Sequence, residues 1–402
     1  MQPEPSKQPE PPAPAEPAGL AEPAEPARPA QPAEPATKAQ PPVRPEPPAP
    51  EIPAPSPEPV AQPVEPAVPP VEPAVPPAEP PARPEPRTTA PFHDPRRPDC
   101  PWCGSRRLRT RLRTPDLRHR APGVFVVEEC HDCAHTFQNP RLTPQGLAFH
   151  QREFPDDQVR PLLDRVRSAR RHRAAARALL SCPGFPEPES WLDVGTGHAR
   201  FPEAARDLFP YTSFDGLDPT PRVLRARTAG RIEEAYVGRL ADPHLTARLR
   251  ARYDVVSMFH HLEHTPDPRE ELRAALTVLR PGGHLLLEVP DPACTFGTLL
   301  GKWWLPHGQP RNAHLVPPDN LRAELEAHGC TIVTTDRRAA HTPYDLSAAL
   351  TLALAHVLPT RLLRATAPLV AAATAVDRGL APLLRRTRFS NAYRVIAHKE
   401  TG

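Results

Sequence analysis

The chain has 402 residues, 64 of them proline, and a formal net charge of +3. A charge so small does not by itself imply a nucleic-acid partner, and leaves any such role to local arginine clusters. Most prolines lie before residue 99, so about 300 residues remain to build a core, enough for one ordinary domain and a small module.

Residues 1–98 cycle through Ala-Glu-Pro and Pro-Ala-Val units with scarcely an aromatic. Such a segment cannot bury enough apolar surface to offset its ordering entropy, and proline removes amide donors. An extended, disordered tail is expected, serving either as a solvated spacer or as a recognition segment. Met1 is followed at once by polar and proline residues, a start that does not resemble a signal peptide.

A small module is expected over 99–145. Cys100-Pro101-Trp102-Cys103 and Cys130-His131-Asp132-Cys133 form two C-x-x-C pairs, and Val124–Val127 between them fits a strand. Four thiolates in two such pairs match a closed, tetrahedral site for a structural Zn2+ in a zinc ribbon. A redox reading of C-x-x-C needs a strand-to-helix context that neither pair has. Seven cysteines without an export signal favour metal binding in a reducing, cytoplasmic compartment over a disulfide framework. His131 and His135, beside complete pairs, are expected at the surface. A basic connector, 146–186, contains a helix from about Pro161 to Leu180 with arginine on several faces. It either packs on the main domain or faces RNA.

From 187 to 402 strands and helices alternate, which predicts an α/β parallel sheet covered on both faces. Strands are expected at Trp191–Val194, Ser213–Leu217, Ala235–Val237, Tyr253–Met258 and His284–Val289, then at Thr331–Thr335 and Ala392–His398. Helices are expected near Arg200–Leu208, Arg222–Thr228, Arg269–Leu279 (stopping at Pro281-Gly282-Gly283) and Pro318–His328. After the first strand, Gly195 and Gly197 allow a tight turn and close approach of backbone to a ligand. Asp218, at the tip of the second, suits both hydroxyls of a ribose. After the fourth strand comes His260-His261-Leu262-Glu263-His264.

Between the last two strands lies an insertion, 343–388, rich in leucine and alanine. Its apolar runs, Leu346–Leu358 and Ala365–Val376, fall short of the ~20 residues needed to cross a bilayer, so no transmembrane span is expected. Two packed helices capping a substrate site are one reading. Peripheral membrane contact through 346–384, with the enzyme cytoplasmic but membrane-associated, is the other.

In their order, LDVGTG (192–197), LDP (217–219), YDVVSMFHHLEHTPDP (253–268), LRPGGHLLLEVPDP (279–292) and HLVPPDNLRAELEAHGC (314–330) resemble the class I S-adenosylmethionine-dependent methyltransferases. The resemblance implies a Rossmann-like, seven-stranded, mostly parallel sheet, with S-adenosyl-L-methionine as cofactor. Asp193, Gly195 and Gly197 would contact its methionine part and Asp218 its ribose, with Phe259 and His260 bordering it. Two departures stand out. Ala199 occupies the place of a usual third glycine, which is tolerable if that turn is already helical. Arg239 follows Gly238 where an adenine-side acid is common, leaving Asp242 as the nearest candidate. A dinucleotide-dependent dehydrogenase is the competing reading, but its pyrophosphate site uses three spaced glycines.

Methyl transfer requires alignment of nucleophile, methyl and sulfur, and often a base. His260 or His261 is the expected general base. Similar quinone-type O-methyltransferases carry E-x-x-E-H here, which has been read as a metal site; this chain has His260 for the first acid and keeps Glu263 and His264. Those two either cap the following helix and hold the loop or act directly. Trp303, Trp304, His307, Gln309 and His314 are expected near the acceptor, with core packing the alternative for the tryptophans. The expected activity is methyl transfer to a small-molecule, sugar or lipid-like acceptor. The alternatives are an RNA methyltransferase using the ribbon and basic helix, and a cofactor-binding scaffold.

Overall fold

In the computed structural model, residues 92–151 and 169–401 are described. The expected tail up to residue 91 and the first half of the basic helix lie outside the described residues.

Alternating apolar runs build a seven-stranded sheet of order β10-β11-β8-β7-β4-β5-β6. Its strands are β4 (Ser190–Val194), β5 (Ser213–Asp218), β6 (Ala235–Val237), β7 (Tyr253–Phe259), β8 (Leu279–Pro290), β10 (Cys330–Asp336) and β11 (Ala392–Lys399). The neighbours β6-β5, β5-β4, β4-β7 and β7-β8 pair in parallel, while β11 runs antiparallel to both β8 and β10. Side chains alternate across the pleat, so one run feeds two cores. Leu192, Val194, Val256, Met258, Leu285 and Leu287 face the helices Pro268–Val278 and Pro318–Ala327 through Leu272, Ala275, Leu321 and Leu325. Trp191, Val255, Leu286 and Ile396 face the opposite core, which holds Phe201, Phe209, Phe214 and Ala175, Ala176 and Leu179 of the helix Ala169–Leu180. The described half of the basic helix is therefore packed on the domain.

Helix entries follow local chemistry. Asp267 accepts from the Arg269 and Glu270 amides, with Pro268 opening the helix. Glu263 and His264, read as possible caps, form a separate 3-10 turn, Leu262–His264. The Pro281-Gly282-Gly283 segment is not a stop before the fifth strand: β8 already begins at Leu279 and runs through it. Gly282 has φ 78, and a side chain on Gly283 would strike Leu279 and lie 2.9 Å from the Asp254 carbonyl.

A second, antiparallel sheet has the order β1-β2-β3-β9. β1 (Leu108–Pro115), β2 (Val124–Cys130) and β3 (Thr136–Gln138) belong to the cysteine module, while β9 (His314–Leu315) comes from the main domain. Residues 92–98, expected as tail, join this module. His93 bridges Leu142, and the Asp94 amide donates to the Arg141 carbonyl at 2.9 Å.

The insertion between β10 and β11 contains the helices Asp345–Val357, Thr360–Leu363 and Ala367–Leu384, the last two joined through a 3-10 turn, Arg364–Thr366. Arg361–Leu384 forms 24 continuous helical residues, within which an 18-residue stretch has a mean hydropathy of 1.2 and is only 6% buried. By length and composition this helix is sufficient to cross a membrane, contrary to the expectation from the separate runs. The backbone passes helically through Arg361 and Arg364, which the pattern had marked as a break. The side chain of Asp377 ties the two long helices together by accepting from the Leu346 and Ser347 amides.

Candidate functional site

The carboxyl ends of β4, β5 and β7 open on a crevice whose floor is the glycine turn. Gly195 and Gly197 have φ 74 and 56, as a tight turn requires. The Gly195 amide donates to the Leu217 carbonyl at 2.8 Å and the Gly197 amide to Asp218 Oδ2 at 2.9 Å, tying the turn to the tip of β5. A Cβ on Gly195 would stand 2.6 Å from His261 Nδ1, so the glycine is also a packing requirement. Ala199 does not lie in an already helical turn. It has φ 53, left-handed, and is completely buried. That conformation costs a non-glycine residue roughly 1–2 kcal/mol.

Asp193 sits at the end of β4, 3% exposed. The Trp191 indole donates to Ser257 Oγ (2.9 Å), and Ser257 donates to Asp193 Oδ1 (2.6 Å). Burial pushes the Asp193 carboxyl up to about 7, with the Ser257 hydrogen bond partly opposing it. Asp218 is held from its other side by the Thr220 amide at 2.8 Å. Phe259 packs on Phe201 with the rings tilted by 41° and 4.4 Å between their centres. Asp193, Gly195, Gly197, Asp218, Phe259, His260 and His261 all line one cavity of about 200 Å³. Asp242 does not line it: its side chain caps the helix Pro243–Arg248, accepting from the His244 and Leu245 amides, and Arg239 stands at the cavity wall instead.

The histidine loop divides its members. His260 adopts φ 51, a left-handed conformation uncommon outside glycine. Its Nδ1 donates to Glu263 Oε1 (3.2 Å), and its Nε2 lies 3.8 Å from Glu288 Oε1. Burial alone would raise the Glu263 carboxyl, but the His260 hydrogen bond and nearby imidazoles bring it below the usual carboxylate range. His261 points the other way, with Nε2 2.9 Å from Glu271 Oε1. Burial acts to lower its pKa, but the hydrogen bond and charge of Glu271 outweigh it, so the imidazole titrates above its ordinary value. His264 donates from Nδ1 to the Arg311 carbonyl (3.0 Å), and burial takes its pKa down to about 4.

A second cavity, of about 90 Å³, adjoins the first. Arg171, His260, His264 and Arg311 line both.

Residues 166–335 match the family model described as a methyltransferase domain. Over these residues the chain is similar to methyltransferase domains. Ubiquinone biosynthesis O-methyltransferase from Serratia proteamaculans (strain 568) is 34% identical over 96 residues, covering 23% of this chain and 39% of that protein. The protein of the same description from Aeromonas salmonicida (strain A449) is 30% identical over 149 residues, 35% of this chain and 62% of its own. The chain thus spans less than two thirds of either relative. A solved SAM-dependent methyltransferase from Archaeoglobus fulgidus aligns with 60% of this chain and 100% of its own at 17% identity, with a TM-score of 0.40.

Around the second cavity, the other sequence candidates separate. His307 and Gln309 line it; Trp304 does not. Trp304 is fully buried core whose indole donates to Asp345 Oδ1 at 2.8 Å. His314 is in β9, away from the cavity, with Nε2 donating to the Pro266 carbonyl and Nδ1 3.1 Å from His135 Nε2. His135, expected at the surface, is therefore wholly buried in the junction of module and domain. Several wall residues escaped sequence reasoning. Glu288, near the carboxyl end of β8, is gripped by Arg394 (2.8 Å) and Arg171 (2.5 Å); a lone acid inside an apolar run was its available signal. Arg171 itself, Arg311, Tyr344 and Asp116 converge from distant segments, and no local pattern marks them.

The four module cysteines gather as expected. Cys100 and Cys133 Sγ are 3.7 Å apart, Cys103 and Cys130 Sγ 3.6 Å, and all four lie within 4.8 Å of one another. The two pairs make matching knuckles: the Gly104 amide donates to Cys100 O and the Ala134 amide to Cys130 O, both at 2.9 Å, each from a left-handed residue. Arginines around the cluster have acidic partners, Arg107 with Asp132 and Arg109 and Arg111 with Glu129. On the packed helix, Arg171 holds Glu288 and Arg173 holds Asp207.

Proposed function

We propose that the protein is a class I S-adenosylmethionine-dependent methyltransferase that methylates a small-molecule, sugar or lipid-like acceptor seated in the second cavity. The observation that supports it is the shared wall: a ribose-and-methionine crevice and a separate cavity meet at His260 and His264. The residues fit the cofactor. Gly197, with nearly open space where a side chain would stand, admits close approach, and two carboxylates, Asp193 and Asp218, face the same cavity. S-adenosylmethionine bound there supplies an electrophilic methyl group; Asp193 would face its methionine part and Asp218 its ribose.

His260 is the proposed base. Its Nδ1 proton is fixed by Glu263, which aims Nε2, and the charge it gains on taking a hydroxyl proton is balanced by Glu263 and Glu288. His261, with Nε2 bonded to Glu271 and Nδ1 packed against Gly195, braces the glycine turn instead. Titration with S-adenosylhomocysteine tests the cofactor site: micromolar binding, lost on Asp218→Ala, is expected, and absence of binding to the unmodified protein would overturn it.

The cysteine cluster fits structural zinc. Four sulfurs about 2.3 Å from a central ion sit about 3.8 Å apart, close to the two spacings found here. Among the described residues no other group of three or more His, Cys, Asp or Glu is gathered to hold an ion.

The C-terminal helix is proposed to rest on an anionic membrane surface. Val357, Leu362, Leu369, Val376 and Leu383 are exposed at 76, 55, 52, 49 and 65%. Exposed Arg361, Arg364, Arg378, Arg385, Arg386 and Arg388 surround them, and Asp377, the only acid from 357 to 388, is buried. Apolar area with arginine alone matches acidic headgroups over acyl chains. Flotation with phosphatidylglycerol-containing vesicles, but not with pure phosphatidylcholine, is expected; failure to float with either would remove the proposal.

A further inference from the structure

Three side chains lining the second cavity carry buried polar atoms that meet no partner: Glu263 Oε2, His307 Nε2 and Gln309 Oε1. Their residues are 4, 2 and 4% exposed. The chemical sense of each atom follows from what the rest of its side chain does. His307 Nδ1 lies 2.9 Å from the Gly301 carbonyl, which only accepts, so the proton is on Nδ1 and Nε2 keeps its lone pair. Burial, which takes this imidazole down to about 4, keeps it neutral. Gln309 Nε2 lies 2.6 Å from the Asn312 carbonyl, which fixes the amide with its oxygen as the unpartnered end. Glu263 receives the His260 proton on Oε1, leaving Oε2 as a carboxylate acceptor. All three atoms are hydrogen-bond acceptors.

Such a wall selects its occupant by donor count. Each buried acceptor left unmatched costs about tenfold in affinity. An aromatic diol has two O–H groups and cannot serve three buried acceptors while also yielding a proton to a base. A nucleotide within RNA offers one ribose hydroxyl and the N–H groups of a single flat base edge, and an alkyl chain offers none. A polyhydroxylated ring, sugar or cyclitol, presents three or more hydroxyls around one small frame. We propose that the second cavity is a polyol site and that the part of the acceptor seated in it is a sugar-like ring, methylated on the hydroxyl facing His260. Proton and methyl balance: the hydroxyl oxygen gains the methyl, the departing sulfur keeps its electron pair, and the hydroxyl proton goes to His260. This rests on the methyltransferase reading above.

The test is saturation-transfer NMR on the full chain with S-adenosylhomocysteine present. The probes are glucose, galactose, mannose, rhamnose and myo-inositol, with catechol as the two-donor comparison. At least one polyol should bind at least tenfold more tightly than catechol. Its deoxy analogues should lose about tenfold for each matched hydroxyl removed. Gln309→Leu should lose that binding while S-adenosylhomocysteine affinity and the melting temperature stay within twofold and a few degrees of the parent. Catechol binding as well as the best polyol, or no polyol binding while S-adenosylhomocysteine binds normally, overturns the polyol site and leaves the methyltransferase reading standing. Failure of S-adenosylhomocysteine to bind at all overturns that reading instead.

Discussion

Asp193 and the two adjacent histidines show how single residues trade stability for chemistry. The Asp193 carboxyl titrates near 7 because it is buried, so the folded state binds its proton more tightly than the unfolded chain does. Its contribution to stability therefore falls as pH rises from the ordinary carboxylate range through about 7. Asp193→Asn should raise the melting temperature at pH 8 by a few degrees, read by calorimetry, while weakening S-adenosylhomocysteine binding by about tenfold or more. His260→Ala should leave that binding intact and cut turnover by about 10²–10⁴-fold. His261→Ala should weaken binding itself, because the imidazole packs on Gly195. Equal effects on binding from the two alanines would contradict the division of roles. Much of this crevice was legible. Asp193, Gly195, Gly197, Asp218, Phe259 and His260 lie where their motifs placed them, because each sits within a few residues of a strand end whose apolar run announces it. Arg171, Arg311 and Glu288 were not legible as a group, since what unites them is a meeting of segments over a hundred residues apart.

At the scale of elements, apolar periodicity located every strand of the main sheet, and the errors fell at ends and caps. Asp242 and Asp267, each followed by proline, cap helices. The first stands close enough to a strand end to resemble a cofactor contact, and the second carries no such signal. Ala199 misled in another way: composition does not reveal a left-handed backbone when the residue is not glycine. At Gly195 the same kind of backbone is coupled to contact, so Gly195→Ala should cost about 1–2 kcal/mol from conformation alone. It should also displace His261, lowering both the denaturant midpoint and cofactor affinity. An unchanged midpoint would mean that the turn yields more easily than its close contact implies.

Across the whole molecule, the burial of histidine sets a pH limit. His264, His284, His307 and His341 are each taken down to about 4, chiefly by burial. A lowered histidine pKa means that the unfolded chain binds more protons below its ordinary value of 6.5, so this stability is present above 6.5 and lost as pH falls toward 4. Asp193 and Asp345, each raised to about 7 by burial, and Asp215, also raised, pull the other way over the same window. His135 and His314 are lowered too, so six histidines oppose three carboxyls. The melting temperature should drop between pH 6.5 and 4, and His307→Gln should flatten that slope; a flat profile in the parent protein would refute the account. At the same scale, removing metal with a strong chelator should lower the melting temperature of a single transition. Two separated transitions would show that module and domain melt independently.

The two-residue strand β9 is what makes that single transition expected. His314 and Leu315 pair with Phe137 and Thr136, while His135 and His314 share a buried hydrogen bond. A fragment beginning at residue 187 would thus expose a bare strand edge and strand a histidine without its partner. Boundaries visible in composition are not places where this polypeptide can be cut. Exchange of modules between proteins by recombination at such a seam would have to carry both halves of the histidine pair together, so the four-cysteine knuckles and the His314 strand are expected to travel as one heritable unit.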